Sequence, residues 1–407
     1  MCGQHVYGQN TDTVTVTTCP VKDIKDILSG KKEKAAKPPK NHYLLVTPVI
    51  SSSPATGFVL GFASQLAFKG ADPADKYSIL SGNAQYTTKN QALFNIKNNV
   101  FLLHNKLFLS GDWRLFLFSQ PTYGLGTDIL NNDSTEGGFA VGDQFIEPDS
   151  IAEPMRFNYI KFHQSASWKI VGDFYLGGGV HFDIYDKIVD EKLDTANGVF
   201  THHYDYSVKY GFNPNNYSLN GLSINGVIDT RDNQLNATKG WFANLNWRFN
   251  PGSASRSSSS LLFAEMRYFK SFNIKKGRHT IGVWAWGNFV TSGHIPYLTL
   301  PAIGWDQRSR SGRGYAQGLF RGYSMMYGEF EYRFPISCNH FLSGVVFANA
   351  TTASDRDRDI KLFRYIKPAV GVGLRLLMDK TTETNLVLDF AKGRKSGGFY
   401  LNAGETF

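Results

Sequence analysis

The chain has 407 residues, 43 Lys+Arg against 34 Asp+Glu, a net charge of +9, and 14% aromatic residues led by 31 Phe and 20 Tyr. No run of about 18 apolar residues occurs, which excludes a membrane-spanning helix. It leaves a spanning β-barrel open, because alternating strands keep averaged hydropathy low. Mean hydropathy of −0.27 suits that barrel or a soluble all-β protein.

Residues 1–41 read as a signal-peptide remnant and periplasmic tail. The opening MCGQHVYGQNTDT has no basic or apolar region. The expectation is a start inside a signal peptide, with cleavage near Gly8-Gln9. A lipid anchor at Cys2 is disfavoured because Met1 stands where a small residue is expected. One short helix is expected around Val21–Leu28, closed by Pro38-Pro39. The lysine-rich run KDIKDILSGKKEKAAKPPK carries much of the positive charge. It reads as a solvated tail rather than a contact for anionic lipid. Cys2, Cys19 and Cys338 show no paired spacing, so neither a metal pattern nor a disulfide framework is expected.

From residue 42 to residue 407 strand signals follow one another. The runs are Tyr43–Ile50, Gly57–Phe68, Tyr77–Thr88, Ala92–Leu103, Leu107–Gln120, Phe157–Ile170, Phe174–Lys187, Ser218–Thr230, Trp241–Phe249, Leu261–Phe272, His279–Thr291, Ser324–Ile336, Phe341–Thr351, Pro368–Met378, Asn385–Lys392 and Phe399–Phe407. That is about sixteen strands of bilayer-crossing length. Several alternate with a period of two. In the ninth, Trp241, Ala243, Leu245, Trp247 and Phe249 oppose Phe242, Asn244, Asn246 and Arg248. In the twelfth, Gly328, Phe330, Tyr332 and Phe334 oppose Tyr327, Glu329, Glu331 and Arg333. The eleventh is apolar on both faces at Trp284 and Trp286, which leaves its register open.

Loop length segregates by parity. The connections after the fifth, seventh, eleventh and thirteenth strands are long, whereas the even-to-odd connections are mostly short turns. Long loops on one rim and short turns on the other is the outer-membrane pattern. An even strand count permits closure without edges.

Several motifs then resemble the BamA/TamA family of outer-membrane barrels, in order and over most of residues 43–407. They are Pro54-Ala-Thr-Gly57, Asp229-Thr-Arg-Asp232 with Gly240-Trp241, Arg313-Gly314-Tyr315, Phe320-Arg321, Glu331-Tyr-Arg-Phe-Pro335, Val372-Gly-Leu-Arg375, Asn385-Leu-Val-Leu-Asp389 and Gly398-Phe-Tyr400. The resemblance implies a single closed antiparallel barrel in the bacterial outer membrane. It also implies a lid loop folded into the lumen, carrying Arg313, Gly314, Tyr315 and Arg321. A second RGY at Arg321-Gly-Tyr323 competes with the first, and Arg313 is preferred for its distance to EYRFP. Asp389, Glu329 and Glu331 are the expected partners of Arg313, with Asp389 first, in a bidentate fork. Where the family often has an acidic residue, this chain has Asn349. The tail is too short for a POTRA module. The terminal Phe407 is expected to serve as the barrel-assembly targeting signal.

No enzyme motif stands out. His202-His203 sit near Asp205 without a second ligand pair. His181 and Asp183 share a face and read as a lumen contact rather than an acid/base pair. No metal, cofactor or nucleic acid is expected. The implied function is insertion, assembly or translocation of protein, or insertion of lipid, at the outer membrane. The expected partners are outer-membrane lipid, client barrels or assembly-complex lipoproteins. A passive channel and a structural or extracellular-binding barrel are the rivals. The implied working part is a weak seam between the first and last strands, where Gly397-Gly398 open the latter.

Overall fold

The computed structural model describes residues 19–29, 42–53, 57–72, 74–88, 90–129, 138–141, 144–146, 151–252, 257–274 and 277–407. The expected leader cleavage point, Cys2, most of the lysine-rich run and the turn residues 54–56 lie outside these. Among the described residues no helix is long and apolar enough to cross a membrane.

Strands dominate. They are β1 (His42–Ser53), β2 (Gly57–Phe68), β3 (Ser78–Thr87), β4 (Ala92–Leu102), β5 (Leu107–Ser119), β6 (Gly138–Val141), β7 (Gln144–Ile146), β8 (Met155–Val171) and β9 (Phe174–Asp190). They continue as β10 (Tyr217–Asp229), β11 (Gly240–Asn250), β12 (Ser259–Ile274), β13 (Gly277–Ser292), β14 (Ser324–Pro335), β15 (Leu342–Ala353), β16 (Lys367–Asp379), β17 (Thr384–Gly393) and β18 (Ser396–Ala403). Sixteen of them form one antiparallel meander. β1 to β5 pair in sequence, β5 pairs with β8, and β8 to β18 pair in sequence. Each expected strand overlaps one of these.

The two faces differ as the alternation requires. Leu44, Phe62, Leu222, Trp247, Phe330 and Val372 are exposed, and they form the apolar belt that meets lipid. The opposite face is covered, with Tyr175, His181, Asp183, Arg248, Glu331 and Arg375 all buried. Trp284 and Trp286, whose register the sequence left open, both lie on this inward face at 1% and 5% exposure. Trp284 Nε1 donates to Glu265 Oε1 at 2.8 Å, so its polar end is satisfied there.

Three expectations are corrected. The sheet is not closed by direct pairing: among the described residues no register joins β1 to β18. β18 ends at Ala403, and Gly404 turns the chain at φ +81°, so residues 404–407 leave the sheet and enter the interior. The β6–β7 hairpin stands at the gap. β6 pairs in parallel with the start of β18, Ser396 opposite Gly138, and β7 comes within 8 Å of β1. Residues 120–154 are therefore not a plain loop.

The third correction concerns the cysteines. Cys19 and Cys338 form a disulfide with a Cα–Cα distance of 5.7 Å across 319 residues of sequence. Local spacing carries no trace of a pairing made by the fold. Cys338 sits in the β14–β15 turn. The expected helix, α1 (Ile24–Ser29), follows Cys19 and reaches the neighbouring β16–β17 turn, where Lys25 meets Asp379 and Lys380 meets Asp26. The tail is thus stapled to the short-turn rim.

Candidate functional site

The 31-residue connection between β13 and β14, residues 293–323, packs on the inward face instead of leaving it. Ile295, Tyr297, Leu300, Ile303, Leu319, Phe320 and Tyr323 are buried at 3% exposure or less. Its ends pair with each other: Ile303 N donates to Phe320 O at 2.9 Å and Gly322 N to Pro301 O at 3.0 Å. A loop this long normally lies on the surface, where water satisfies its backbone. Here the satisfaction is internal.

The segment touches widely separated parts of the wall. Arg114 Nη2 on β5 donates to Asp306 O at 3.0 Å. Tyr185 OH on β9 donates to Leu298 O at 3.3 Å. Arg310 Nη2 donates to Ala403 O on β18 at 2.9 Å.

Arg313 is 3% exposed, and the structure brings it together with all three carboxylates named from the sequence. Nη2 donates to Glu329 Oε1 at 2.6 Å while Nε lies 3.4 Å from Oε2, so the fork engages Glu329. Nη2 also meets Glu331. Asp389 Oδ2 accepts from Nη1 at 2.5 Å. The expected bidentate grip on Asp389 is not formed, because Oδ1 is occupied by Arg375 Nη1 at 2.6 Å. Asn349, uncharged in place of an acid, donates its Nδ2 to Arg313 O at 2.9 Å. It holds the backbone of the arginine rather than its side chain.

Gly314 has φ +99°, and a Cβ there would stand 2.8 Å from Ala369 Cβ. Only glycine meets both conditions without strain. Tyr315 OH donates to Pro368 O at 2.6 Å and accepts from Arg394 N at 3.1 Å, tying the segment to β16 and the β17–β18 turn. Arg321 behaves differently. Its Nη1 donates to the carbonyls of Tyr297, Leu298 and Leu300 at 3.0–3.3 Å. It organises the segment's own first turn, whereas Arg313 fastens the segment to the wall.

Sequence reasoning missed how far this cluster extends. Arg375 Nε donates to Glu405 Oε2 at 2.8 Å, and Asn385 Nδ2 donates to Glu405 Oε1 at 2.7 Å. Arg333 Nε donates to Glu331 Oε2 at 2.8 Å. Three guanidiniums, from the segment, β14 and β16, thus serve four carboxylates, two from β14, one from β17 and one from the C-terminal tail. Phe407 is folded into the same interior, with its ring centre 5.4 Å from Trp284 and 5.7 Å from Phe269.

His181 and Asp183 make no hydrogen bond to each other. Asp183 accepts from Tyr159 OH at 2.8 Å and Arg248 Nη1 at 2.7 Å and lies 2.9 Å from His163 Nε2. His181 Nε2 lies 2.7 Å from Ser223 Oγ. On α2 (His202–Lys209), His202 and His203 face different partners: Nδ1 of His202 is 2.7 Å from Glu153, and that of His203 is 3.7 Å from Asp190.

With this geometry in place the comparisons are informative. The Omp85 superfamily domain matches residues 185–407. No curated protein matches. Among solved structures the chain is similar to BamA from Haemophilus ducreyi lacking POTRA domains 1–3, at 13% identity and TM-score 0.53, over 90% of this chain and 70% of that one. It is also similar to CdiB from Acinetobacter baumannii, at 11% identity and TM-score 0.50, over 86% of this chain and 56% of that one. At these identities the likeness concerns the fold, and the chain spans little more than half the length of the CdiB chain. The matched domain, the sixteen-strand meander and its exposed apolar belt together place this chain in the Omp85 superfamily, as an integral β-barrel of the outer membrane.

Proposed function

We propose that this barrel inserts or translocates protein, or moves lipid, at the outer membrane by offering the seam between β1 and β18 to a client. The observation that carries the reading is the absence, among the described residues, of any register between these two strands. Unpaired backbone groups on a strand edge template the addition of another strand. Here β18 is short at 8 residues against 12 in β1, and at its outer end the edge away from β17 meets the 4-residue β6. A barrel that closes transiently through this pairing can open along it.

In the same reading residues 293–323 are a lid across the lumen, locked by Arg313, Gly314 and Tyr315 through Glu329, Glu331 and Asp389. The buried ion cluster favours this over the passive channel, since a permanently open pore has no use for a segment fastened to so many strands. The chain carries no enzymatic activity on this reading, and its partners are lipid, client barrels or assembly lipoproteins. Phe407 then acts as a targeting signal during assembly, before it is buried.

The test is a cysteine scan of β1 positions 42–49 against β18 positions 399–403. Oxidation of a seam pair should stop client insertion in cells, and reduction should restore it. Full function of a barrel shown to be crosslinked would remove the seam from the mechanism.

A further inference from the structure

On the lipid-facing side of β16 and β17 the apolar belt changes character at its outer end. In β16 the outward row runs Leu374, Val372, Val370 and Pro368, and all four are exposed. Ile366 and Arg364, just ahead of the strand, are exposed as well. In β17 the outward row runs Leu388, Phe390 and Lys392, the last two exposed, and exposed Arg394 follows in the turn. The register sets Val370 opposite Lys392 and Ala369 opposite Gly393. Tyr315 OH bonds both Pro368 O and Arg394 N, which brings the two row ends together. Two adjacent rows of apolar side chains therefore both end in cations.

The local charge is one-sided. Residues 360–378 and 390–404 contain no acid. The acids of the β15–β16 connection come earlier. Asp355 pairs with Arg358 and Asp357 with Lys209, and Asp359 stands just before the acid-free run. Among the described residues no carboxylate forms an ion pair with Arg364 or Lys392. Phe363 and Ile366 are both more than half exposed, so bare apolar surface reaches the level of these cations.

A cation that ends an apolar row is placed for a membrane interface. The stem of a Lys or Arg covers apolar surface while its head reaches polar groups beyond. On the β18 side Lys392 faces Gly397, which has no side chain to crowd that stem. One step deeper the Phe390 and Phe399 rings meet at 4.9 Å and offer acyl chains a broad wall. This is the long-loop rim, which meets the outer leaflet. The anionic lipid of that leaflet is a phosphorylated, acylated glycolipid, whereas glycerophospholipids fill the opposite leaflet.

We propose that the outer ends of β16 and β17 bind the phosphorylated glycolipid of the outer leaflet. Arg364, Lys392 and Arg394 hold its phosphate, and its acyl chains lie on Val370, Val372 and Phe390. The inference rests on the barrel's place in the membrane and not on the seam, from which β18 separates this site.

The experiment titrates the full chain in a nonionic detergent with monophosphorylated lipid A and counts bound lipid by native mass spectrometry. Dephosphorylated lipid A and phosphatidylglycerol are titrated alongside. Saturable binding of the phosphorylated lipid A is expected, at least fivefold tighter than either comparator. Lys392→Gln and Arg364→Gln each keep an extended stem and remove the charge. Each should weaken that binding about fivefold, the worth of one cation near an anionic membrane surface, while heat-modifiable migration shows an intact barrel. Lys270→Gln is the control. Lys270 is exposed on β12 towards the short-turn rim, and its replacement should change nothing. The proposal is overturned if phosphatidylglycerol or the dephosphorylated lipid binds as tightly, if Lys392→Gln and Arg364→Gln both bind as the parent does, or if Lys270→Gln weakens binding as much as they do.

Discussion

The guanidinium of Arg313 lies over the ring of Phe347, 3.4 Å from its centre. The arginine is therefore held on one side by an aromatic face and at its edge by three carboxylates. A planar cation suits both contacts, whereas an ammonium is a point charge that serves neither well.

Arg313→Ala strips one of three guanidiniums from four buried carboxylates. Breaking a buried pair costs about 3–5 kcal/mol because it leaves uncompensated charge behind. The expected outcome is new protease cutting within residues 293–323 and noisier single-channel current. Arg313→Lys should recover little of the protection. Arg321→Ala is the comparator. It frees only carbonyls of residues 297–300, so its new cleavage should stay near that turn. Equal protection in all three variants would make these arginines passengers in the fold.

The strand pattern was legible because the bilayer and the interior impose opposite chemistry on alternate residues. Period puts Glu329, Glu331 and Arg333 on one face, and the barrel reading makes that face the inward one; Asp389 follows from its apolar neighbours Leu388 and Phe390. What period cannot show is where a strand stops pairing. Phe399–Phe407 read as one strand, yet the φ of Gly404 sends Glu405 and Phe407 into the interior. The same limit hid Cys19–Cys338, whose partners meet only after twelve of the sixteen long strands are laid side by side. It hid β6 and β7 as well, which are too short to carry an alternation. Alternation sets Arg375 opposite Val370, Val372 and Leu374, but its bond to Glu405 depends on that inward turn.

Reduction of Cys19–Cys338 tests what holds the tail. Its other polar contacts include the exposed or partly exposed ion pairs Lys25–Asp379 at 3.3 Å and Lys380–Asp26 at 2.8 Å, and the hydrogen bonds from Lys22 N to Asn339 O at 3.1 Å and from Lys380 N to Asp23 Oδ2 at 3.4 Å. Exposed pairs contribute about 0–1 kcal/mol each. Under reductant, or in Cys338→Ser, protease should remove the segment ahead of β1 while the barrel keeps its heat-modifiable migration. Continued protection of Ile24–Ser29 would show that the helix docks without the bond.

A pH effect is expected at the outer rim. The hydrogen bond to Glu153 raises the pKa of His202 above its usual value; burial and Arg358 oppose the shift and Asp205 supports it. A raised folded-state pKa gives stabilisation that is fully present below the unfolded value of about 6.5 and is lost as pH rises through the folded value. Amide protection of α2 should therefore be greatest in mild acid and decline above neutrality. Glu153→Gln should flatten that profile by removing the charge that favours the imidazolium. An unchanged profile in Glu153→Gln would assign the effect to another group.

The β6–β7 hairpin gives the last prediction. It comes from the long connection between β5 and β8, and that connection shares its rim with the β17–β18 turn. β6 therefore reaches the outer end of β18 from the loop side, matching Ser396 to Phe399 with Gly138 to Val141. A parallel pairing of 4 residues is a weak attachment by length and by bond geometry. It nonetheless covers an edge that would otherwise recruit other chains. Replacing residues 138–146 with a short flexible linker should leave the sixteen-strand barrel folded and its outer seam uncovered. Photo-crosslinking from Phe399 should then capture more client than the parent barrel does, and the purified variant should aggregate more readily. Fewer crosslinks at unchanged barrel content would reverse the assignment, making the hairpin a platform that receives the client rather than a cover that the client displaces.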